Sequence, residues 1–164
     1  RQESAQAEEM TISIDVEDEA WQALAGLDQL ASTAVASALS GAGADGEERE
    51  IALLFTDDQS TALINADWRG MNKPTNVLSF PASPDMPIPD GEPRPLGDIV
   101  LSHGVIAREA AEQGKTLHDH TAHLIVHGVL HLLGFDHETD GEAGEMERLE
   151  TSILKGLGIS DPYE

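Results

Sequence analysis

A chain of 164 residues with 40% hydrophobic content has material for one domain around a single core. Its 31 acidic and 9 basic residues give a formal net charge of −22, which excludes a broad basic nucleic-acid surface but leaves room for a local one. Without cysteine there is neither a disulfide framework nor a thiolate metal site, and no stretch is apolar for long enough to span a bilayer.

Residues 1–9 read as a polar N-terminal tail without the apolar centre of a signal peptide, so a cytoplasmic location is the expectation. From Met10 to Val16, the alternation of Ile12, Ile14 and Val16 predicts a half-buried strand. Glu19 to Leu39 carries Trp21, Leu24, Leu27 and Leu30 at helical spacing. Gly41 to Glu48 is a glycine- and acid-rich loop. Ile51 to Thr56 reads as a second strand, and Asp57, Asp58 and Ser60 are capping candidates for a short helix reaching about Trp68. A third strand, Asn76 to Phe80, lies between Pro74 and Pro81. Six of the eight prolines fall between Pro81 and Pro95, which predicts a stiff extended loop there. Leu96 to Ser102 contains a fourth strand, followed by helices over Gly104–Gln113 and Leu117–Leu133. The last helix, about Glu142 to Leu157, is amphipathic through Met146, Leu149, Ile153 and Leu154. Strands separated by helices and ending in helices predict a small α+β or α/β domain over residues 10–158, with a central mixed sheet packed by helices; 159–164 form a C-terminal tail.

The densest chemistry lies near the C-terminal end, on the helix predicted to bind metal. His127 and His131 are four apart, so both imidazoles project from one helical face about one turn apart. Gly134 ends the helix at low cost, and the turn after it swings His137 back toward the pair. Three neutral imidazoles with a fourth position left for water are the arrangement of catalytic rather than structural zinc. One zinc ion per chain is expected, although three imidazoles also suit other divalent metals. Gly128 follows His127, where a His-Glu-x-x-His metalloprotease carries its general base, so a protease is disfavoured. His123, one turn before His127, is a candidate to support a ligand or face the substrate. His118 and His120 are expected at the surface, and His103 has no motif around it. Asp136 either orients a histidine or shapes the turn.

Arg69 and Lys73 stand just before the third strand, in a chain with few bases. A guanidinium clamps a phosphate and stabilises charge developing on it; the plain alternative is a surface ion pair. The run His127-Gly128-Val129-Leu130-His131-Leu132-Leu133-Gly134-Phe135-Asp136-His137 resembles that of the YbeY family, metal-dependent endoribonucleases of bacterial rRNA maturation. Lys73-Pro74-Thr75-Asn76-Val77-Leu78-Ser79-Phe80-Pro81 and Leu96-Gly97-Asp98-Ile99-Val100-Leu101-Ser102 are similar to the family's other blocks, in the family's order.

The resemblance implies an α+β fold and zinc held by His127, His131 and His137. It implies Arg69 as the catalytic arginine near the scissile phosphate; Lys73 and Ser79 are further candidates for substrate binding. The implied activity is cleavage of single-stranded RNA in 16S rRNA 3′-end processing and 70S ribosome quality control. The implied partners are rRNA and the ribosome or its small-subunit proteins, with no membrane. Either a metal-bound water or the RNA 2′-hydroxyl would serve as nucleophile. Two other readings stay open: another zinc hydrolase with a phosphate-bearing substrate, and a ribosome-associated RNA-binding factor whose zinc is structural. Closed structural sites want four ligands, and three are evident here.

Overall fold

The computed structural model describes residues 10–44, 49–83, 87, 89, 92–135 and 139–159. Strands β1 (Met10–Val16), β2 (Arg49–Thr56), β3 (Val77–Pro81) and β4 (Arg94–Ser102) form one sheet in the order β1-β2-β4-β3. The first three in that order run parallel, and β3 lies antiparallel against β4 at the edge. Parallel neighbours need long crossovers, which helices supply. The helices are α1 (Leu27–Gly41), α2 (Asp58–Arg69), α3 (His103–Gln113), α4 (Leu117–Leu132) and α5 (Asp140–Gly156). The fold is the expected α+β arrangement with a mixed four-stranded sheet, and no described helix is long and apolar enough to cross a membrane.

In β2 the pleat sends Ile51, Leu53 and Phe55 to one face, where they are buried, and leaves Ala52 and Leu54 half-buried on the other. The buried core joins these to Ile99 and Leu101 of β4 and to Ile125, Val126, Val129 and Leu130 of α4. Apolar residues occur nearly all round α4 because β3, β4, α1, α3 and α5 all pack against it. Helix and sheet come close at Gly128. A Cβ there would lie 3.0 Å from Ile99 and 3.1 Å from the Ser79 hydroxyl oxygen. The glycine after His127 is thus tightly packed as well as a missing protease base. Ser79 and Ile99 are register partners, so Leu78 and Phe80 point to the opposite face, where the last turn of α2 lays Trp68 against Phe80.

Four local features depart from the expected elements. The segment expected as one helix from Glu19 is a 3₁₀ turn, Glu19–Ala23, followed by Gly26 at φ 72° and then α1. The Trp21 indole donates to the Thr56 carbonyl at 3.0 Å and sets its edge on Phe55, which ties the first turn to the end of β2. Left-handed Gly26 then redirects the chain. In β1, Ile12 and Ile14 pack on the core, but Val16 is exposed. Strand β4 begins at Arg94, inside the proline-rich segment, and a bulge at Leu96 follows Pro95: the partners of Glu50 and Ile51 jump from Pro95 to Gly97. Gly97 sits at φ 146° with the Phe80 carbonyl and the Pro81 Cα filling the space of a side chain. Finally, α5 starts at Asp140. Thr139 and Glu142 cap each other reciprocally, the hydroxyl accepting from Glu142 N–H at 3.1 Å and the carboxylate from Thr139 N–H at 3.3 Å.

Asp58 fixes the entry to α3. Its carboxylate accepts from the Ser102 hydroxyl (2.5 Å) and the Val105 N–H (3.0 Å) and pairs with Arg108 (3.2 Å). Burial pushes this carboxyl up, but the donors outweigh it and hold the group below its ordinary 3.8. Helix α3 is thereby placed to deliver Glu109 to the site.

Candidate active site

Four histidines, His120, His123, His127 and His131, line one stripe of α4, with neighbouring ring centroids 6.0, 6.3 and 4.5 Å apart in that order. At the C-terminal end the Nε2 atoms of His127 and His131 face each other at 3.0 Å. Behind them stands Glu150 of α5, with no exposed surface. One of its carboxylate oxygens is in short contact with His127 Nδ1, and the other lies 3.4 Å from His123 Nε2. An ionised carboxylate only accepts, so the hydrogen of His127 sits on Nδ1 and its Nε2 lone pair is turned toward His131. Such a facing pair is held either by a proton from the second ring or by a cation between them. Two nitrogens each 2.0–2.1 Å from a tetrahedral zinc lie roughly 3.3 Å apart, close to the observed separation. The donor set therefore fits a borderline metal, and both rings are only partly buried and open to a ligand. The third expected ligand, His137, lies outside the described residues, as does Asp136. Among the described residues no group of three or more metal-ligating side chains is assembled.

The N-terminal end of the stripe differs from expectation. His118 is exposed beside Asp119, but His120, expected at the surface, is buried at 3% exposure. The reason is Glu109 of α3, which meets His120 Nε2 at 2.9 Å and accepts from the Asn76 amide at 3.0 Å. Burial lowers the His120 pKa below 6.5 despite the opposing pull of Glu109. Its Nδ1 finds no partner among the described residues, as suits a neutral ring donating through Nε2. His103 rests edge-on against Trp21, with ring centroids 5.1 Å apart.

Arg69 ends α2, with Gly70 in the left-handed conformation closing the helix. The chain then turns so that Arg69, Lys73, Asn76 and Glu109 line a common cavity of about 340 Å³. Its shape depends on Asn65, whose buried amide donates to the Lys73 carbonyl at 2.9 Å. Arg69 and Lys73 are both exposed, and no ion pair to Arg69 is formed among the described residues. The structure thus brings the two expected phosphate contacts together, and Glu109 joins their cavity to the histidine stripe. No described histidine lines the cavity; Glu109 links it to His120, roughly 10 Å along the helix axis from His127. Ser79 is half-buried on β3 with its hydroxyl turned to α4 at Gly128, one residue from His127.

Sequence reasoning missed Glu150, Glu109, Asn65 and Asn76 as parts of this constellation. Glu150 had one visible sign: it falls on the apolar stripe of α5, between Met146 and Ile153, where a carboxylate needs a partner.

With this geometry in view, the protein-family comparison is decisive. The family model for "Endoribonuclease YbeY" matches residues 12–158. The chain belongs to the YbeY family. A Nitrobacter winogradskyi protein named endoribonuclease YbeY is 51% identical over 145 residues, covering 87% of this chain and 76% of its own length. One of the same name from Dinoroseobacter shibae is 50% identical over 165 residues, covering 94% and 91%. One from Azorhizobium caulinodans is 47% identical over 156 residues, covering 94% and 96%. Among solved structures, the solution structure of a Thermotoga maritima protein superposes with a TM-score of 0.56 over 94% of this chain and 99% of that one. At 19% identity that likeness speaks for the fold alone.

Proposed function

We propose that this YbeY-family chain is a metal-dependent endoribonuclease that cuts single-stranded RNA during rRNA maturation, with His127, His131 and His137 holding one zinc or similar divalent ion. The observation that carries the reading is the facing pair of imidazole nitrogens with a buried carboxylate behind it. A bound ion of this kind supplies a Lewis acid for phosphate oxygens and a water of lowered pKa. The chain's own groups do the rest. Glu150 keeps the proton of His127 on Nδ1 and so keeps Nε2 basic. Arg69 holds a phosphate by its guanidinium and offsets the charge that builds at phosphorus, with Lys73 beside it as a second cation. The Ser79 hydroxyl, beside His127 on the sheet side, is a donor for an RNA oxygen.

The setting we propose for this activity is cytoplasmic: 16S rRNA 3′-end processing and 70S ribosome quality control, in contact with the ribosome or small-subunit proteins. Either a water or the RNA 2′-hydroxyl attacks phosphorus; a cyclic phosphate on the product would identify the second.

The test is cleavage of a labelled single-stranded RNA by wild type, His131→Ala and Arg69→Ala, with metal content measured on each. Wild type should retain metal and cut. His131→Ala should lose both, and Arg69→Ala should keep metal and fold while turnover falls roughly 10²- to 10³-fold, the scale of losing one charge-stabilising donor. Normal cleavage by Arg69→Ala would remove that residue from the mechanism. A metal-loaded wild type unable to cut any RNA would replace the nuclease by an RNA-binding factor with structural metal.

A further inference from the structure

Trp68 is 73% exposed, although tryptophan is among the side chains with most to gain from burial. It is held all the same. Its ring lies on Phe80 with centroids 5.5 Å apart and planes tilted by 55°, so one side is supported and the rest is open. Phe80 is half-buried on β3 and faces away from α4. Met71, also exposed, follows two residues after Arg69. Residues 68–83 contain Arg69 and Lys73 and no acidic side chain, in a chain whose net charge is −22. An open aromatic ring beside Arg69 in the chain, leading to a cavity that Arg69 and Lys73 line and bordered on the sheet by exposed Asp98 opposite Phe80, matches the two needs of single-stranded nucleic acid: a stacking surface for a base and, beyond it, positive charge for the phosphates.

We infer that Trp68, backed by Phe80, is a base-stacking site for a nucleotide of the single-stranded RNA substrate lying a few nucleotides from the bond that is cut. The inference rests on the ribonuclease reading above and adds the subsite to it. Trp68 adjoins Arg69, Arg69 and Lys73 share a cavity with Glu109, and Glu109 meets the histidine stripe at His120. Trp68 and the imidazole pair lie on opposite faces of edge strand β3, so the RNA passes round that edge with its phosphates at the cations. Stacking is tolerant of base identity, which makes the site a selector for unpaired RNA rather than for sequence.

The two tryptophans make this directly readable, because Trp21 is 1% exposed and Trp68 is open. Metal-loaded wild type is titrated with a short oligouridylate and with a chain of equal phosphate count lacking bases, following tryptophan fluorescence and checking that the RNA stays intact. The oligouridylate should quench the exposed emission, and the abasic chain should bind more weakly without that quench. Trp68→Ala should weaken oligouridylate binding roughly 5- to 100-fold, the loss of one base–aromatic stack, and leave abasic binding as in wild type; Trp68→Phe should restore most of the affinity. Equal affinity of Trp68→Ala and wild type for RNA, with cleavage intact, would overturn the stacking site and leave the nuclease standing. Quenching that grows with protein concentration in the absence of RNA would assign the patch to a second copy of the chain and overturn it too. Failure of wild type to bind or cut any RNA would instead remove the reading on which the site rests.

Discussion

Glu150 carries a carboxylate to a position with no exposed surface, and the imidazoles of His123 and His127 make that position tolerable. A buried carboxylate costs several kcal/mol unless its oxygens are met by donors, so residue and ring stabilise each other. The exchange also sets the chemistry, because it decides which nitrogen of His127 is basic. Glu150→Gln keeps the shape and removes the charge; metal affinity of the purified protein, measured by competition with a chelator, should fall about 10- to 100-fold while the fold persists. That His127 and His131 face each other was legible in the sequence because a four-residue spacing has one geometric meaning on a helix. Glu150 was not, since its partner lies 23 residues upstream, on another helix. Gly128 was read as a missing protease base; only the distances to Ile99 and Ser79 show how tightly the sheet packs on it.

Between elements, the joint of α3, α4 and the start of β3 passes through one carboxylate, Glu109, which meets both His120 and Asn76. The folded-state pKa of His120 lies below its ordinary 6.5, chiefly through burial. The unfolded chain therefore takes up this proton first. Stability is full above about pH 6.5, falls as the pH drops through that value, and stops falling once the folded-state pKa is passed. Melting temperatures from pH 7.5 to 5.5 should show a steeper acid loss for wild type than for His120→Gln. Parallel slopes would mean that the ring is not held neutral. The helices and strands themselves were mostly legible, because alternation and 3.6-residue spacing report on burial directly. The misreadings fall where a tertiary contact overrides the local pattern. Trp21 bonded to Thr56 interrupts the first helix, and β4 pairs with β2 from Arg94 onward, within the prolines, through a bulge at Leu96. His120 was placed at the surface because nothing local announces the carboxylate that buries it.

For the whole molecule, the surplus of acid makes folding and binding respond oppositely to salt. Added sodium chloride screens self-repulsion and should raise the melting temperature between 0.05 and about 0.5 M. RNA held through Arg69 and Lys73 should bind less tightly over the same range, with a slope of log affinity on log salt of about −0.7 to −1.4 for one or two phosphate contacts. A slope far steeper would place other cations on the RNA. Charge and composition were open to reading from the start, and so was the α+β class. Strand order was not: which strand sits between β2 and β3 is decided by the crossovers and by the fit of α4, and neither leaves a periodic trace in the chain.

The carboxylate behind His127 comes from α5, the last helix of the fold. Until that helix has docked, the Glu150 carboxylate cannot hold the hydrogen of His127 on Nδ1. The facing imidazole pair therefore takes its final orientation only when α5 docks. A chain shortened before Glu150 would keep every histidine of the stripe and lose the carboxylate that orients His127, so the chemistry of that ring is set by a part of the fold made after it.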